Sequence, residues 1–203
     1  MSEQGKYTAD VQSNLLLIAK QSIEHGLEAE QQPLSPHELL NSATDELQAT
    51  LVEMKGVFVT LEKSGRLRGC IGSLQPQRPL AADVAVNASN AAFRDPRFPA
   101  LQADELNDLT VSISVLTTPE PMRNCQTQES FLAQVQPHKD GIIISDGSHR
   151  ATFLPSVWQQ LPDKNQFISH LMQKAGIKAW SENMQCERYH SIGFSAEWND
   201  IAE

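Results

Sequence analysis

The sequence predicts an α+β fold in which a mainly antiparallel sheet packs against helices. Short runs of alternating apolar and polar residues are joined by turn residues, as in β-hairpins. Longer segments between them have the apolar spacing of helices. Hairpins mixed with helices are typical of α+β proteins. The length of 203 residues and the hydrophobic content of 40% fit one domain with a substantial core.

The N-terminal part of the chain is predicted to be helical. Residues 9–25 carry an apolar stripe at helical spacing, and Gly26 fits a helix stop. Two prolines place a loop over residues 28–36, where Ser35 can cap a short helix.

Residues 57–62 and 66–73 are predicted to form an antiparallel hairpin. Lys63-Ser64-Gly65 fits a three-residue loop with glycine in the left-handed position. In this register Leu61 lies opposite Leu67, so apolar side chains share a face. A two-residue loop would instead place a charged residue opposite Leu61, and the three-residue register is therefore preferred.

An alanine-rich helix is predicted from Pro79 to Phe93, and its small side chains indicate close packing on a sheet. The stiff turn Asp95-Pro96-Arg97-Phe98-Pro99 ends it. The later elements are predicted from alternation, turn residues and caps. They are a strand over 110–116, a hairpin of 142–144 and 151–154 around Asp146-Gly147, a helix from the Asp163 and Gln166 capping pair to Gly176, and a strand over 186–192.

Composition excludes some classes of protein. The net charge of −9 argues against general nucleic-acid binding, although a local basic patch of Arg66, Arg68, Arg94 and Arg97 stays open as an alternative. The apolar run over residues 15–19 is too short to cross a membrane.

The three cysteines, Cys70, Cys125 and Cys186, are odd in number and far apart. This pattern does not suggest a disulfide framework, and it favours a reducing compartment. We therefore expect a cytoplasmic protein without a membrane segment.

The segment Leu67-Arg68-Gly69-Cys70-Ile71-Gly72 most strongly suggests function. Strand alternation predicts that Arg68 and Cys70 share one face, while Gly69 and Gly72 remove bulk beside the thiol. A neighbouring cation favours the thiolate, the reactive form of cysteine. The segment therefore predicts a catalytic thiol at Cys70, an anion-binding Arg68, and Thr60 on the paired strand as a further hydrogen-bond donor.

Each of these residues also has a structural interpretation. Cys70 could be a small packed core residue. Arg68 could form an internal ion pair with Glu62 or Asp95 instead of binding a ligand. Asp95 could serve a rigid turn rather than a site, because aspartate before proline is a common turn former.

Motifs for cofactors are weak. The chain has no Cys-x-x-Cys, His-x-x-x-His or His-Glu-x-x-His pattern, so no metal site is predicted. The segment Gly69-Cys70-Ile71-Gly72 lacks the lysine of a phosphate-binding loop. The sequence therefore names no cofactor.

The chain resembles the AMMECR domain family over residues 6–198, as one domain. The resemblance rests on the order and spacing of matching segments, which are Phe58-Val59-Thr60-Leu61, Leu67-Arg68-Gly69-Cys70-Ile71-Gly72, Asp95-Pro96-Arg97-Phe98, Leu154-Pro155-Ser156-Val157 and Lys174-Ala175-Gly176. It implies an α+β fold with a larger and a smaller lobe around a cleft. It also keeps Asp95 and Arg97 among the expected ligand-binding residues.

The segment Leu161-Pro162-Asp163 is similar to the bacterial branch of that family, often called AmmeMemoRadiSam system protein A. That resemblance implies a Memo-like protein and a radical-SAM protein as partners.

Two hypotheses of function follow. In the first, the protein is an enzyme whose Cys70 acts as a nucleophile or redox thiol on a small anionic substrate held by Arg68. In the second, it is a non-catalytic module that binds a modified peptide, a metabolite or a partner protein, while the radical-SAM partner does the difficult chemistry.

Overall fold

The computed structural model describes residues 3–28 and 45–202 and has the predicted α+β class, with two antiparallel sheets. In chain order the helices are α1 (Ala9–Glu28), α2 (Asp45–Leu51), α3 (Leu80–Phe93), α4 (Gln128–Gln134) and α5 (Lys164–Ala175). The strands are β1 (Val57–Lys63), β2 (Arg66–Ser73), β3 (Leu109–Leu116), β4 (Glu120–Pro121), β5 (Gly141–Asp146), β6 (His149–Phe153), β7 (Gln185–Tyr189) and β8 (Ser191–Glu197).

The described chain divides into two compact units, each with its own sheet and core. The first unit holds the residues up to Leu116 and those from Ile192 onward, and the second holds Thr117–Ser191. Strand order is β2-β1-β3-β8 in the first sheet and β4-β7-β5-β6 in the second. The described helices include none long and apolar enough to cross a membrane.

Helices α1 and α3 cover one face of the first sheet. The face of β1 that carries Val57, Val59 and Leu61 is fully buried, and the alanines of α3 pack with it in one core. Gly26 does not stop α1, which continues to Glu28. A Cβ at Gly26 would lie 2.4 Å from Cε2 of Phe93, so this glycine permits the close approach of α1 and α3.

The predicted hairpin of β1 and β2 is confirmed, but its predicted register is wrong. The turn has two residues, Ser64 and Gly65, with φ of 50° and 74°. Two positive φ values match the twist of the flanking strands. A β-bulge then skips Arg68, so that Leu61 pairs with Gly69.

The bulge also removes the basis for placing Arg68 and Cys70 on one face. Leu67, predicted to share the apolar face with Leu61, lies opposite Glu62 and is 43% exposed. The sequence rule failed because one extra residue in a strand reverses the alternation beyond it.

The second unit follows the predicted pattern more closely. Strands β5 and β6 pair around a turn in which Gly147 has φ of 58°. The Asp163 side chain accepts a hydrogen bond from the Gln166 N–H at the start of α5, and Gly176 ends the helix at φ of 75°. Trp158 stacks on Phe167 in the core, with 3.7 Å between ring centroids.

Two further outcomes concern predicted boundaries. The single final strand predicted over 186–192 is wrong, because β7 and β8 meet there and belong to different sheets. The loop predicted over 28–36 and the cap at Ser35 lie outside the described residues, apart from Glu28, which ends α1.

Candidate functional site

The Cys70 thiol lies on β2, an edge strand of the first sheet, directly opposite Thr60 on β1. The Thr60 hydroxyl donates a hydrogen bond to the sulfur, with Oγ1 and Sγ 3.2 Å apart. Cys70 is partly exposed, whereas Cys125 and Cys186 are buried, and all three are free thiols. Burial raises the pKa of both buried thiols, which makes them less reactive than a partly exposed thiol.

The turn after α3 hydrogen bonds to the backbone of Cys70 on the open side of the edge strand. The Cys70 N–H donates to Oδ2 of Asp95 at 2.9 Å, and Nη2 of Arg97 donates to the Cys70 carbonyl at 3.3 Å. A neighbouring strand would supply the same acceptor and donor to an edge residue. The Asp95–Arg97 pair therefore takes the place of a strand at this point of the edge.

The Asp95 carboxylate binds the Arg97 side chain as well as the Cys70 backbone. It accepts from Nε of Arg97 at 2.9 Å, from Nη2 at 2.6 Å and from the Arg97 N–H at 3.1 Å. The Arg97 hydrogen bonds, together with that from Cys70, hold the Asp95 pKa well below its usual range although burial opposes this. Asp95 thus positions the strand and the turn, while the Arg97 side chain remains 53% exposed.

Arg68 is buried and forms an ion pair with the partly buried Glu105, which lies in the short 3-10 segment Ala103–Asp108. Nε and Nη2 of Arg68 donate to the two carboxylate oxygens at 3.1 Å and 2.9 Å. Lys63 adds a contact of 3.0 Å to the same carboxylate. The hydrogen bonds from Arg68 lower the pKa of Glu105 to about 2, with support from Gln102 and Lys63 and against desolvation.

The third nitrogen of Arg68 is in a different situation. Nη1 is buried and has no hydrogen-bond partner within the described chain. The guanidinium carbons of Arg68 and Arg97 lie 5.9 Å and 5.5 Å from the ring centroid of Phe98, so both cations contact the same aromatic ring. Two cations and one ring therefore lie close to the Cys70 strand.

The glycines beside Cys70 have packing roles. A Cβ at Gly69 would lie 2.1 Å from the Ala91 carbonyl oxygen of α3, and one at Gly72 would lie 2.3 Å from the Phe58 ring. The predicted open space beside the thiol is therefore filled at both positions. Gly69 and Gly72 are required because a helix and a ring approach the strand closely.

Sequence reasoning anticipated some neighbours of Cys70 and missed others. It placed Thr60 on the partner strand but proposed Glu62 or Asp95 as the internal partner of Arg68, whereas the partner is Glu105. It also missed Ser112 of β3, which lies opposite Thr60 and is partly buried. The alternation of β3 could have indicated Ser112, but no local signal links Glu105 to Arg68.

The described residues include neither a cluster of metal-binding side chains nor a histidine hydrogen-bonded to Cys70. The described residues contain no group of three or more His, Cys, Asp or Glu side chains arranged to hold a metal ion. Within the same part of the chain no histidine hydrogen bonds to Cys70, and His149 and His190 instead contact the Ala175 carbonyl and Asp140.

Comparison with known proteins identifies the family. The AMMECR1 family profile matches residues 16–194. This chain belongs to the AMMECR1 family. The resemblance inferred from the order and spacing of the matching segments is thereby confirmed at the family level.

The similar proteins include two archaeal ones. A protein of Methanothermobacter thermautotrophicus is 36% identical over 164 residues, which cover 80% of this chain and 81% of that protein. Protein Mbar_A1807 of Methanosarcina barkeri is 37% identical over 166 residues, covering 80% and 79%. A crystal structure of an uncharacterized protein from Pyrococcus horikoshii has a TM-score of 0.73 at 28% identity, covering 95% of this chain and 94% of that one. These matches support the AMMECR1 fold.

Proposed function

We propose that this AMMECR1 protein binds a small anionic ligand at the Cys70 strand and that the Cys70 thiol acts on it. The observation that carries the proposal is the set of hydrogen bonds that Cys70 makes through its side chain and its backbone. Cys70 is partly exposed, and its sulfur accepts a hydrogen bond from the Thr60 hydroxyl at 3.2 Å, while Asp95 and Arg97 bind both of its backbone groups. Such fixation holds a reactive group in one geometry, as nucleophilic catalysis requires.

The nearby cations support an anionic ligand. The Arg97 side chain is about half exposed, and Nη1 of Arg68 has no hydrogen-bond partner in the described chain. Both guanidinium groups already bind carboxylates through their other nitrogens. A carboxylate or phosphate on the ligand matches guanidinium geometry. In this proposal Arg68 and Arg97 bind the ligand, Thr60 supports charge on sulfur, and Asp95 positions the strand.

A non-catalytic binding or adaptor module is the second candidate. The observation that favours it is the absence, among the described side chains, of a histidine hydrogen-bonded to Cys70, because a thiol nucleophile is commonly activated by such a base. In that case the shape and charge of the site carry the function, and the sulfur is not required.

We also propose that the protein is cytoplasmic and works with a Memo-like and a radical-SAM protein, as the resemblance to AmmeMemoRadiSam system protein A implies. Membership of the AMMECR1 family supports this assignment. Co-expression of the three proteins with one tagged component tests it. Recovery of the other two with the tagged protein is the expected result, and recovery of the tagged protein alone would contradict it.

The two candidates are separated by incubating wild type, Cys70→Ser and Arg97→Ala with a cell metabolite extract. An enzyme depletes a compound that Cys70→Ser leaves intact, because turnover requires sulfur. A binding module retains a compound equally well with Cys70→Ser, and Arg97→Ala weakens retention by about tenfold because a charge-assisted hydrogen bond is lost. Identical behaviour of all three proteins would show that the ligand site is not at Cys70.

A further inference from the structure

A second cluster of titratable side chains lies in the second unit and has no part in the Cys70 site. Its centre is Asp140, the residue before β5, whose side chain is fully buried. Oδ1 lies 3.0 Å from Nε2 of His190, and Oδ2 accepts the Gln136 N–H at 2.9 Å. Nη1 of Arg188 lies 3.9 Å from the same Oδ2. These contacts orient and stabilise the buried carboxylate. Without such partners a buried charge would be costly.

His190 connects this buried carboxylate to the surface. Its side chain is 48% exposed, and its backbone N–H donates to Oγ1 of Thr117 at 2.9 Å. An ionised carboxylate only accepts hydrogen bonds, so Nε2 of His190 must carry the hydrogen that faces Asp140. In the neutral imidazole Nδ1 then holds a lone pair, and no group in the described chain hydrogen bonds to it.

We propose that His190 and Asp140 form a proton-transfer site in which Nδ1 of His190 takes the proton of a water molecule or a hydroxyl group as its oxygen attacks an electrophile. The O–H bond breaks, its electron pair forms the new bond to the electrophilic carbon, and the proton moves to Nδ1. The leaving group departs with the electrons of its own bond. Asp140 is a positioning residue that stabilises the positive imidazolium through the Nε2–H.

The tautomer of His190 is the first part of the test, since it needs no substrate. Long-range ¹H–¹⁵N NMR of the wild-type protein distinguishes Nε2–H from Nδ1–H. We expect His190 as the Nε2–H tautomer in the wild type and as a mixture of tautomers in Asp140→Asn, which lacks the charged acceptor. An Nδ1–H tautomer in the wild type would overturn the proposal.

The second part measures hydrolysis of p-nitrophenyl acetate, a probe with an activated ester carbonyl. We expect His190→Gln to lower the protein-dependent rate at least about tenfold, because a general base typically contributes about 10²–10⁴-fold. His170→Gln, on the exposed face of α5, serves as the matched control and should retain the wild-type rate. Equal rates for His190→Gln and wild type would overturn the proposal.

Asp140→Asn should lower the hydrolysis rate as well, without losing the far-UV circular dichroism of the wild type. A folded Asp140→Asn protein with the wild-type rate and the wild-type tautomer would remove Asp140 from the site. If this variant does not fold, the tautomer in the wild type and the rate of His190→Gln decide the proposal by themselves.

Discussion

The surroundings of Cys70 show how single residues define the candidate site. Thr60 contacts the sulfur, Asp95 and Arg97 bind the backbone, and Arg68 pairs with Glu105 near by. The sequence pattern predicted that Thr60 lies on the strand paired with that of Cys70, but the wrong register did not place the two residues opposite each other. The pairing of Arg68 with Glu105 could not be predicted, because 37 residues separate them and the bulge redirects Arg68.

Glu105→Gln is expected to destabilise the protein by about 3 kcal/mol, because it leaves the buried Arg68 charge without its carboxylate. Glu187→Gln is the matched control. Glu187 pairs with the half-exposed Arg150, and its loss should cost at most about 1 kcal/mol. Urea unfolding measures both changes. Equal destabilisation by the two substitutions would contradict the Arg68–Glu105 ion pair as a structural determinant.

At the scale of elements, the hairpin of β1 and β2 was predictable in its existence but not in its register. Its alternation and turn residues identified both strands, and the Ser64-Gly65 turn with the bulge set the pairing. Tertiary packing also constrains this hairpin, because the Gly69 side of β2 lies against the Ala91 carbonyl oxygen of α3. A sequence pattern records which residues are apolar, but it does not record how closely a helix approaches.

Gly69→Ala tests this close approach. The new Cβ would meet a backbone oxygen at 2.1 Å, so helix or strand must shift, and we expect a loss of about 2–3 kcal/mol in the free energy of unfolding. Gly193→Ala in β8 is the control, because its Cβ meets only Ser114 Oγ at 3.8 Å and should change stability by about 0.5 kcal/mol or less. A Gly69→Ala protein as stable as Gly193→Ala would refute the packing of α3 on β2.

At the scale of the whole molecule, two sheets with separate cores replace the single sheet that the hairpin pattern suggested. Local signals identified the Asp163 cap, the Gly176 stop and the Asp146-Gly147 turn, because each depends on a few neighbouring residues. The separation of β7 from β8 was missed. Two strands divided by one residue look like one strand until their partners are known.

The free energy of unfolding of the protein should fall as the pH is lowered from about 4.5 toward 2. Glu105 has a pKa of about 2 in the folded protein against its usual 4.5, so the unfolded chain binds more protons in this interval. The stabilisation from Glu105 is therefore present above pH 4.5 and is lost as the pH falls through the folded pKa. Asp95 contributes in the same direction.

The check is urea unfolding of wild type and Glu105→Gln at pH 6 and at pH 3. The wild type should lose more stability between the two pH values than Glu105→Gln, which lacks the titrating carboxyl. The same loss in both proteins would show that Glu105 does not contribute to acid sensitivity.

The central claim, that Cys70 is the reactive thiol of the site, is tested most directly by alkylation of the folded protein. Iodoacetamide is added at pH 7, and each cysteine is followed over time by peptide mass spectrometry. Cys70 should react faster than Cys125 and Cys186, whose thiols are buried and have raised pKa values, and Thr60→Val should slow Cys70 alone. Alkylation of Cys70 at the rate of the two buried cysteines, with no effect of Thr60→Val, would contradict the claim.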